Sequence, residues 1–261
     1  MPPTNASSKD RDAVQEFFTG NAADYANLFL ARQSGSNFGF RERLNLAVQM
    51  TSGVSGRFLD CACGSGEITA AILSSGRFTG ATVVDLSPVM LKAAQQRMEI
   101  ELAKTKMDRL EFISSDIFEF TLQPQIAPYD LILCLGLIAH TGRLDELLRR
   151  LKTILSPTGC ILLQSSLLDH VGTKIVRFLT HERYYRQHGY RISYFHHRDI
   201  LRSAQNAGLE AIEMQRFTFG FPFGDRISAR ANYHLEKTMR GPARVHGAEA
   251  LYLLQPHSSQ N

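Results

Sequence analysis

The sequence predicts an α/β fold with a doubly wound, mostly parallel, seven-stranded sheet, N-terminal helices and an inserted cap. Short apolar runs typical of buried strands alternate with longer stretches that carry apolar residues at helical spacing. Turn signals such as Gly64 to Gly66 and Ser156 to Gly159 separate them. Strands that alternate with helices in this way pack as a parallel sheet covered on both faces.

The composition is that of an ordinary globular chain. Its 261 residues are 44% apolar and 21% charged, with no apolar run of the roughly 20 residues that span a bilayer. Residues 1–11 are polar and lack the apolar stretch of a secretory signal, so we expect a cytoplasmic protein. The four cysteines (Cys61, Cys63, Cys134 and Cys160) fall in or just after predicted strands. A free thiol there packs as a small apolar group, and we expect no metal site.

We interpret residues 1–261 as a single domain whose first part is helical. Residues 13–29 and 40–50 carry apolar residues at helical spacing, and the glycine-containing stretch 35–39 separates them. We therefore assign residues 11–52 to an N-terminal helical part.

Residues 57–166 form the predicted core of the sheet. Its five strands are residues 57–61, 81–85, 110–114, 129–137 and 160–165. The helices between them are residues 67–74, 87–105 and 143–155. Ser87 is a favourable N-cap for the second helix, and Pro88 suits its first turn. Residues 198–255 complete the sheet, with a helix over 198–207 and strands over 209–217 and 250–255.

A basic segment, residues 167–197, interrupts this alternation, and we interpret it as an aromatic cap insertion. The whole chain has a formal charge of +4, but the stretch 170–202 holds seven Lys or Arg against two acidic residues. The seven are Lys174, Arg177, Arg183, Arg186, Arg191, Arg198 and Arg202. A local basic excess attracts anionic partners, although a solvated helix face would explain any one of these residues.

Glycine and acidic signals follow three successive strands. Gly64 and Gly66 lie in the turn after the first strand, Asp85 ends the second, and Ser115-Asp116-Ile117 follows the third. The carboxyl ends of parallel strands meet at one edge, where ligands bind. An acid at the position of Asp85 can accept both ribose hydroxyls of a nucleoside, and Asp116 can bind an adenine amino group. Helix capping and turn formation are the structural alternatives for these two carboxylates.

The glycine turn differs from one that binds a pyrophosphate. Thr69 stands where the dinucleotide fingerprint has its third glycine, and Glu67 places an anion at the helix N-terminus. This pattern favours a nucleoside cofactor without a phosphate near the turn, and S-adenosylmethionine meets that requirement.

Residues 57–166 resemble the core of a class I S-adenosylmethionine-dependent methyltransferase of the small-molecule type. The matching stretches are LDCACGSG (59–66), VDLSPVML (84–91), LGLIAH (135–140) and LKTILSPTG (151–159). The resemblance implies a Rossmann-like methyltransferase fold and S-adenosyl-L-methionine as cofactor. The residues it implies for cofactor binding are Asp60, Cys61, Gly64, Gly66, Asp85, Leu86, Met90, Ser115, Asp116, Ile117, Leu135 and Gly136. Cys61 and Ala62 depart from the Leu and Gly that the family often has.

His140 is the candidate catalytic base. Methyl transfer from a sulfonium is an in-line displacement at carbon, so the protein must align the reactants and keep the nucleophile unprotonated. His140 ends the loop after the fourth strand, at the carboxyl edge, and an unperturbed histidine has a pKa of about 6.5. Capping of the helix that begins near Arg143, or packing on the cofactor, would also explain this residue.

Parts outside the core are expected to select the acceptor. The candidate acceptor-binding residues are Tyr25, Phe29 and Arg41 in the N-terminal part, Tyr184 and Tyr185 in the cap, and Phe219 and Phe221. The last two belong to a row that runs from Phe217 to Phe223 and would share one side if extended. Core packing is the alternative for this row. Arg and Tyr beside phenylalanines predict a small acceptor with an apolar body and an anionic or polar group.

Two other classes of function stay open at this point. One is RNA or protein methylation, and the other is cofactor binding without methyl transfer. The basic excess is confined to one segment and no RNA-binding module is recognisable, so nucleic acid is not the expected partner. Methylation of oxygen, nitrogen or carbon would use the same donor site, so the acceptor atom also stays open.

Overall fold

Strands and helices alternate along the chain in a computed structural model that describes residues 8–27, 33–75, 77–124, 127–238 and 245–257. The strands are β1 (Gly56–Asp60), β2 (Phe78–Asp85), β3 (Leu110–Ser114), β4 (Tyr129–Cys134), β5 (Leu155–Ser166), β6 (Leu209–Phe217) and β7 (Glu249–Pro256). The helices are α1 (Ser8–Gly20), α2 (Ala22–Asn27), α3 (Gly35–Met50), α4 (Glu67–Ser74), α5 (Pro88–Glu101), α6 (Lys104–Met107), α7 (Ile117–Phe120), α8 (Leu137–Thr141), α9 (Leu144–Thr153), α10 (Val171–His188), α11 (His197–Asn206) and α12 (Gly224–Thr238).

The sheet has the strand order β3-β2-β1-β4-β5-β7-β6. Strands β1 to β5 run parallel, whereas β7 is antiparallel to both β5 and β6. The prediction of a doubly wound, mostly parallel, seven-stranded sheet in an α/β fold is confirmed. Because the order reverses between β1 and β4, the loops that leave these two strands diverge and open a crevice at the carboxyl edge.

Apolar layers cover both faces of this sheet. In β4, Leu131 and Leu133 pack in one layer, and Ile132 and Cys134 pack in the other. All four side chains are fully buried. A strand that is buried on both faces has a nearly continuous apolar sequence, which is why β4 is recognisable without the structure.

The cysteines pack as the sequence predicts. All four thiols are free; Cys61, Cys134 and Cys160 are buried, and Cys63 is partly buried. Burial raises the pKa of Cys134 and brings that of Cys160 to about 12, so both thiols stay protonated at neutral pH. In the described ranges, no group of three or more His, Cys, Asp or Glu side chains could hold a metal ion.

The N-terminal helices differ from the predicted ones at their ends. The predicted helix over 13–29 is divided at Asn21 into α1 and α2, and Phe29 lies outside the described residues. The predicted break over 35–39 is wrong, because α3 begins at Gly35 with Ser34 as its N-cap. Gly35 permits close packing there, since a Cβ at this position would overlap the side chain of Asn232 in α12.

Two predicted extended stretches are also corrected. The fourth strand ends at Cys134 rather than Leu137, because Gly136 adopts a φ of +78° and starts α8. The phenylalanine row is not extended, because Thr218 and Phe223 have φ values of +54° and +58°. Its rings therefore do not line up on one side.

The predicted cap insertion consists of α10 and the loop that follows it. Helix α10 is not predicted from the sequence, because apolar side chains lie on its exposed side as well as on its attached side and leave no wholly polar face. The insertion closes on itself where Leu168 N–H donates to the carbonyl of Phe195 at 2.9 Å. Ser193 N–H ties the same loop to Ala139 in α8 at 2.7 Å.

Among the described helices, none combines the length and the apolar character needed to cross a membrane.

Replacing Gly66 by alanine is expected to destabilise the fold by about 2–4 kcal/mol, because of strain and a clash together. Gly66 has a φ of +81°, and a Cβ there would lie 2.9 Å from the Cα of Ala94 in α5. Gly208 has a φ of +72° but open space around it, so Gly208→Ala should cost only about 1 kcal/mol. Gly53→Ala carries neither constraint and should be neutral. Urea unfolding of the three variants checks this order, and equal losses for Gly66→Ala and Gly208→Ala would contradict it.

Candidate functional site

A cavity of about 470 Å³ lies at the carboxyl ends of β1 to β4; we call it the edge cavity. Eleven of the residues singled out in the sequence line it, and they come from five separate parts of the chain. They are Tyr25, Cys61, Gly64, Asp85, Leu86, Ser115, Asp116, Ile117, Leu135, Gly136 and His140. The fold therefore brings together side chains that are more than a hundred residues apart.

Asp85 fixes the turns around this cavity. Its carboxylate accepts the N–H of Gly64 at 2.9 Å and that of Ser87 at 2.8 Å, one on each oxygen. The side chain of Ser87 in turn accepts the N–H of Met90, as expected of an N-cap. Burial raises the pKa of Asp85 to about 6 against the lowering effect of these backbone hydrogen bonds. Asp85 is thus both a structural support and a charged acceptor at the cavity wall at neutral pH.

Asp60, Gly66 and Met90 lie behind the wall. The carboxylate of Asp60 accepts the hydroxyl of Thr69 at 2.5 Å and the N–H of Ala62 at 3.3 Å. Its burial raises its pKa to about 6. Met90 is fully buried, and Gly66 packs against α5. None of these three lines the edge cavity, so their contribution is to hold the glycine turn in place.

Glu67 forms an ion pair at the start of α4. Arg97 donates to one carboxylate oxygen at 2.7 Å, and the hydroxyl of Ser65 donates to the other at 2.6 Å. The anion expected at this helix N-terminus is therefore present and fixed, which disfavours a phosphate there.

The wall beyond β3 combines a capping carboxylate with an aromatic ring that the sequence did not single out. Asp116 accepts the N–H of Phe118 at 2.7 Å and caps α7. The guanidinium of Arg143 lies 3.7 Å from the centre of the Phe118 ring. Arg143 and Arg150 share the carboxylate of Glu146, so this wall is rigid and cationic at its rim.

His140 lies in α8 with its ring between two aromatic side chains. The ring centres of Phe18 and Tyr190 lie 4.9 Å and 5.8 Å away. Burial lowers the pKa of His140 to about 4, so the imidazole is neutral at physiological pH. Its Nδ1 atom and the hydroxyl of Thr141 are buried and have no hydrogen-bond partner among the described residues. The N-cap of α9 is Arg143, so His140 does not cap that helix.

Arg43 of α3 is a site residue that the sequence prediction missed. This buried guanidinium lines the edge cavity. It donates to Gln164 at 3.0 Å and to the hydroxyl of Tyr25 at 3.4 Å. Its central carbon lies 4.6 Å from the centre of the Phe40 ring. Gln164 is held in turn by the partly buried Glu249, to which it donates at 3.0 Å. The available signal was a charged residue among the apolar positions of the predicted helix over 40–50.

A second cavity, of about 480 Å³, lies between α10 and the start of α12; we call it the cap cavity. Apolar and aromatic side chains line it together with Arg183 and Arg226. Tyr184 belongs to its wall and shares a hydrogen bond of 2.7 Å with Tyr190, whose ring contacts His140. Two tyrosines therefore connect this cavity to the edge cavity.

The other predicted acceptor residues line neither cavity. Arg41 donates to the hydroxyl of Tyr233 at 3.1 Å, and Tyr185 is exposed beneath the guanidinium of Arg191. Phe219 contacts His170, and Phe221 is exposed. The turn after β6 directs the last two away from both cavities.

Comparison with known proteins gives one family match and many structural ones. Residues 59–161 match the family model described as a methyltransferase domain. A search of curated protein sequences finds no match to the chain.

Three similar solved structures cover nearly the whole chain. Magnesium protoporphyrin IX methyltransferase from Synechocystis PCC 6803, with bound SAH, has a TM-score of 0.65 at 14% identity, over 94% of this chain and 99% of that one. N-methyltransferase NodS from Bradyrhizobium japonicum WM9, in complex with S-adenosyl-L-homocysteine, has a TM-score of 0.59 at 14% identity, over 93% and 97%. A putative methyltransferase in complex with the Haloferax volcanii Trm112 activator has a TM-score of 0.62 at 17% identity, over 92% and 98%. At these identities the likeness shows the fold.

The lowered pKa of His140 predicts a pH-dependent stability. Between pH 6.5 and about 4 the unfolded chain binds a proton at this position that the folded chain does not, so lowering the pH through this window favours unfolding. A His140→Asn variant has no imidazole at this position, so its unfolded chain cannot bind this proton. We expect wild type to lose on the order of 1–2 kcal/mol more unfolding free energy than the variant between pH 7 and pH 4.5. Urea unfolding at both pH values measures the difference, and His234→Asn, at an exposed position, is the control. The same pH response in wild type and His140→Asn would refute the assignment.

Proposed function

We propose that the chain transfers a methyl group from S-adenosylmethionine to a small-molecule acceptor. In support, residues 59–161 match the family model of a methyltransferase domain, and the fold is similar to that of solved methyltransferases. The observation that carries the proposal is the presence of Asp85 and a neutral His140 with an unpartnered Nδ1 in the walls of one cavity. Asp85 suits binding of the methyl donor, and the neutral His140 suits an acceptor that must lose a proton.

The residues of the edge cavity fit the donor. A Cβ built at Gly136 would meet only Arg43 Nη1, at 3.9 Å, so the space beside this glycine belongs to the cavity. Each carboxylate oxygen of Asp85 holds one N–H and has acceptor capacity left for a ribose hydroxyl. When bound, the donor supplies an electrophilic methyl group on its sulfonium.

Arg43 fits the carboxylate of the donor's methionine part. It is a buried cation in the cavity wall, next to Gly136 and within hydrogen-bonding distance of Tyr25. The ring of Tyr25 packs over Gly64, so these side chains surround the same end of the cavity. A guanidinium binds a carboxylate through charge-assisted hydrogen bonds, which are stronger than neutral ones.

His140 and Thr141 fit the reacting group of the acceptor. Buried polar atoms are nearly always hydrogen-bonded in folded proteins, so the free Nδ1 and hydroxyl favour a polar ligand group at this point. A neutral imidazole can take the proton that a hydroxyl or amine loses as it is methylated.

The cap cavity fits the rest of the acceptor. Its apolar wall with Arg183 and Arg226 suits an apolar body that carries an anionic or polar group. The contacts from Tyr184 through Tyr190 to His140 connect this cavity to the proposed reaction site. The four free thiols are consistent with a cytoplasmic location, which we also propose.

Replacing Arg43 by methionine is expected to lower the affinity for S-adenosylhomocysteine by about tenfold or more, because charged hydrogen bonds to its carboxylate are lost. Affinity for methylthioadenosine, which has no carboxylate, should not change. Isothermal titration with both ligands measures the contrast. Arg41→Met is the matched control, since Arg41 lies in the same helix but contacts Tyr233. Equal losses for the two ligands would show that Arg43 only supports the fold.

Replacing His140 by glutamine is expected to lower the methyl-transfer rate by about 10²-fold or more, with unchanged affinity for S-adenosylhomocysteine. Transfer from radiolabelled S-adenosylmethionine to pooled small metabolites, bulk RNA and protein extract measures both the rate and the acceptor class. Full turnover in the variant would remove His140 from catalysis. Labelling of RNA or protein alone would favour the macromolecular alternative, and tight binding without any transfer would favour a cofactor-binding protein.

A further inference from the structure

Helix α10 exposes a row of large apolar side chains. Val171, Ile175, Phe178 and Leu179 are all exposed, and the exposed fraction of Phe178 is 88%. Their spacing of four, three and one residues puts them on one face of the helix, which we call the α10 stripe. Single exposed apolar residues are common, but a contiguous row marks an interaction surface.

The opposite face of α10 attaches the helix to the protein. Gly172 and Thr173 are buried, and Val176, Thr180 and Tyr184 are partly buried in the wall of the cap cavity. The stripe therefore points outward while the helix is held from behind.

Basic side chains surround the stripe. Lys174, Arg177, Arg183 and Arg186 stand on α10 against a single acidic residue, Glu182. All four are exposed. At helical spacing Lys174 and Arg183 fall on either side of the stripe, so the apolar centre has a cationic border on both flanks. Glu182 and Arg186 continue the same face toward the end of α10, where Arg191 pairs with Glu182 at 3.4 Å.

We propose that α10 docks the protein on a bilayer surface that contains anionic lipids. An amphipathic helix with Lys and Arg beside an apolar face lies in the interfacial plane, with its apolar side chains below the headgroups. Phe178 and Leu179 enter the acyl boundary, and the basic border contacts lipid phosphates. The positive border matches a negative surface, which selects anionic lipid over an uncharged one.

The cap cavity lies directly behind this surface. Leu179 belongs both to the stripe and to the wall of the cavity, which Phe223 and Arg226 also line. The binding itself does not depend on the proposed methyl transfer.

Co-sedimentation of the full-length protein with vesicles tests the docking. We expect it to bind vesicles of phosphatidylcholine mixed with phosphatidylglycerol, to bind phosphatidylcholine vesicles weakly, and to dissociate as salt is added. Phe178→Asp should lower the vesicle partition coefficient by about tenfold or more, and Lys174→Glu should lower it only for the anionic vesicles. Ile100→Asp is the matched control, because Ile100 is 85% exposed on α5, outside the stripe.

Three outcomes would overturn the proposal. The protein could fail to bind either kind of vesicle, or Phe178→Asp could bind as well as wild type. In the third outcome, the protein does not bind vesicles, and sedimentation velocity shows a dimer that the Phe178→Asp substitution dissociates. A second copy of the chain would then cover the stripe. The affinity of every variant for S-adenosylhomocysteine is measured in parallel. Unchanged affinity shows that the variants are folded and separates this test from that of the proposed function.

Discussion

The side chain of Asp85 accepts the N–H of Gly64 on one oxygen and that of Ser87 on the other, while its backbone carbonyl accepts the N–H of Ser115 at 3.1 Å. One residue therefore joins the turns after β1 and β2 to the end of β3. Buried N–H groups need partners, and the carboxylate of Asp85 supplies them for Gly64 and Ser87. The shape of the edge cavity depends on this residue, because all three turns contribute to its walls. The positions of Leu86 and Asp116 follow from it.

Much of the sheet could be predicted because its signals are local. The run of apolar residues in β4, the Ser-Pro start of α5 and the glycines after β1 each report the structure of a few residues around them. Parallel topology then brings the strand ends together, so Asp85 and His140 could be assigned to one edge. The fold that follows is confirmed. The roles of these residues stay predictions.

The rest depends on contacts between distant parts of the chain. Gly35 is typical of a helix break, yet α3 begins at this residue, whose N–H donates at 2.7 Å to Asp225, almost two hundred residues away. Phe219 and Phe221 alternate in the sequence, but the positive φ of Thr218 turns the chain between them and β6. Arg43 stands among the apolar positions of its helix, but that local signal does not identify Gln164 as the distant residue that holds it in the site. The spacing of apolar residues along the chain does not show which distant residues come into contact.

The cap insertion leaves the sheet at Leu167 and returns beside it at Phe195, where the two residues form a bridge. The chain between them can lengthen, shorten or be exchanged without shifting β5 or α11, because both ends are fixed at the same point. The proposed donor residues lie outside this loop, whereas Tyr184 and Arg183 lie within it. Under the proposed function, exchange of this one segment would change the acceptor-binding residues while the donor-binding residues stay in place.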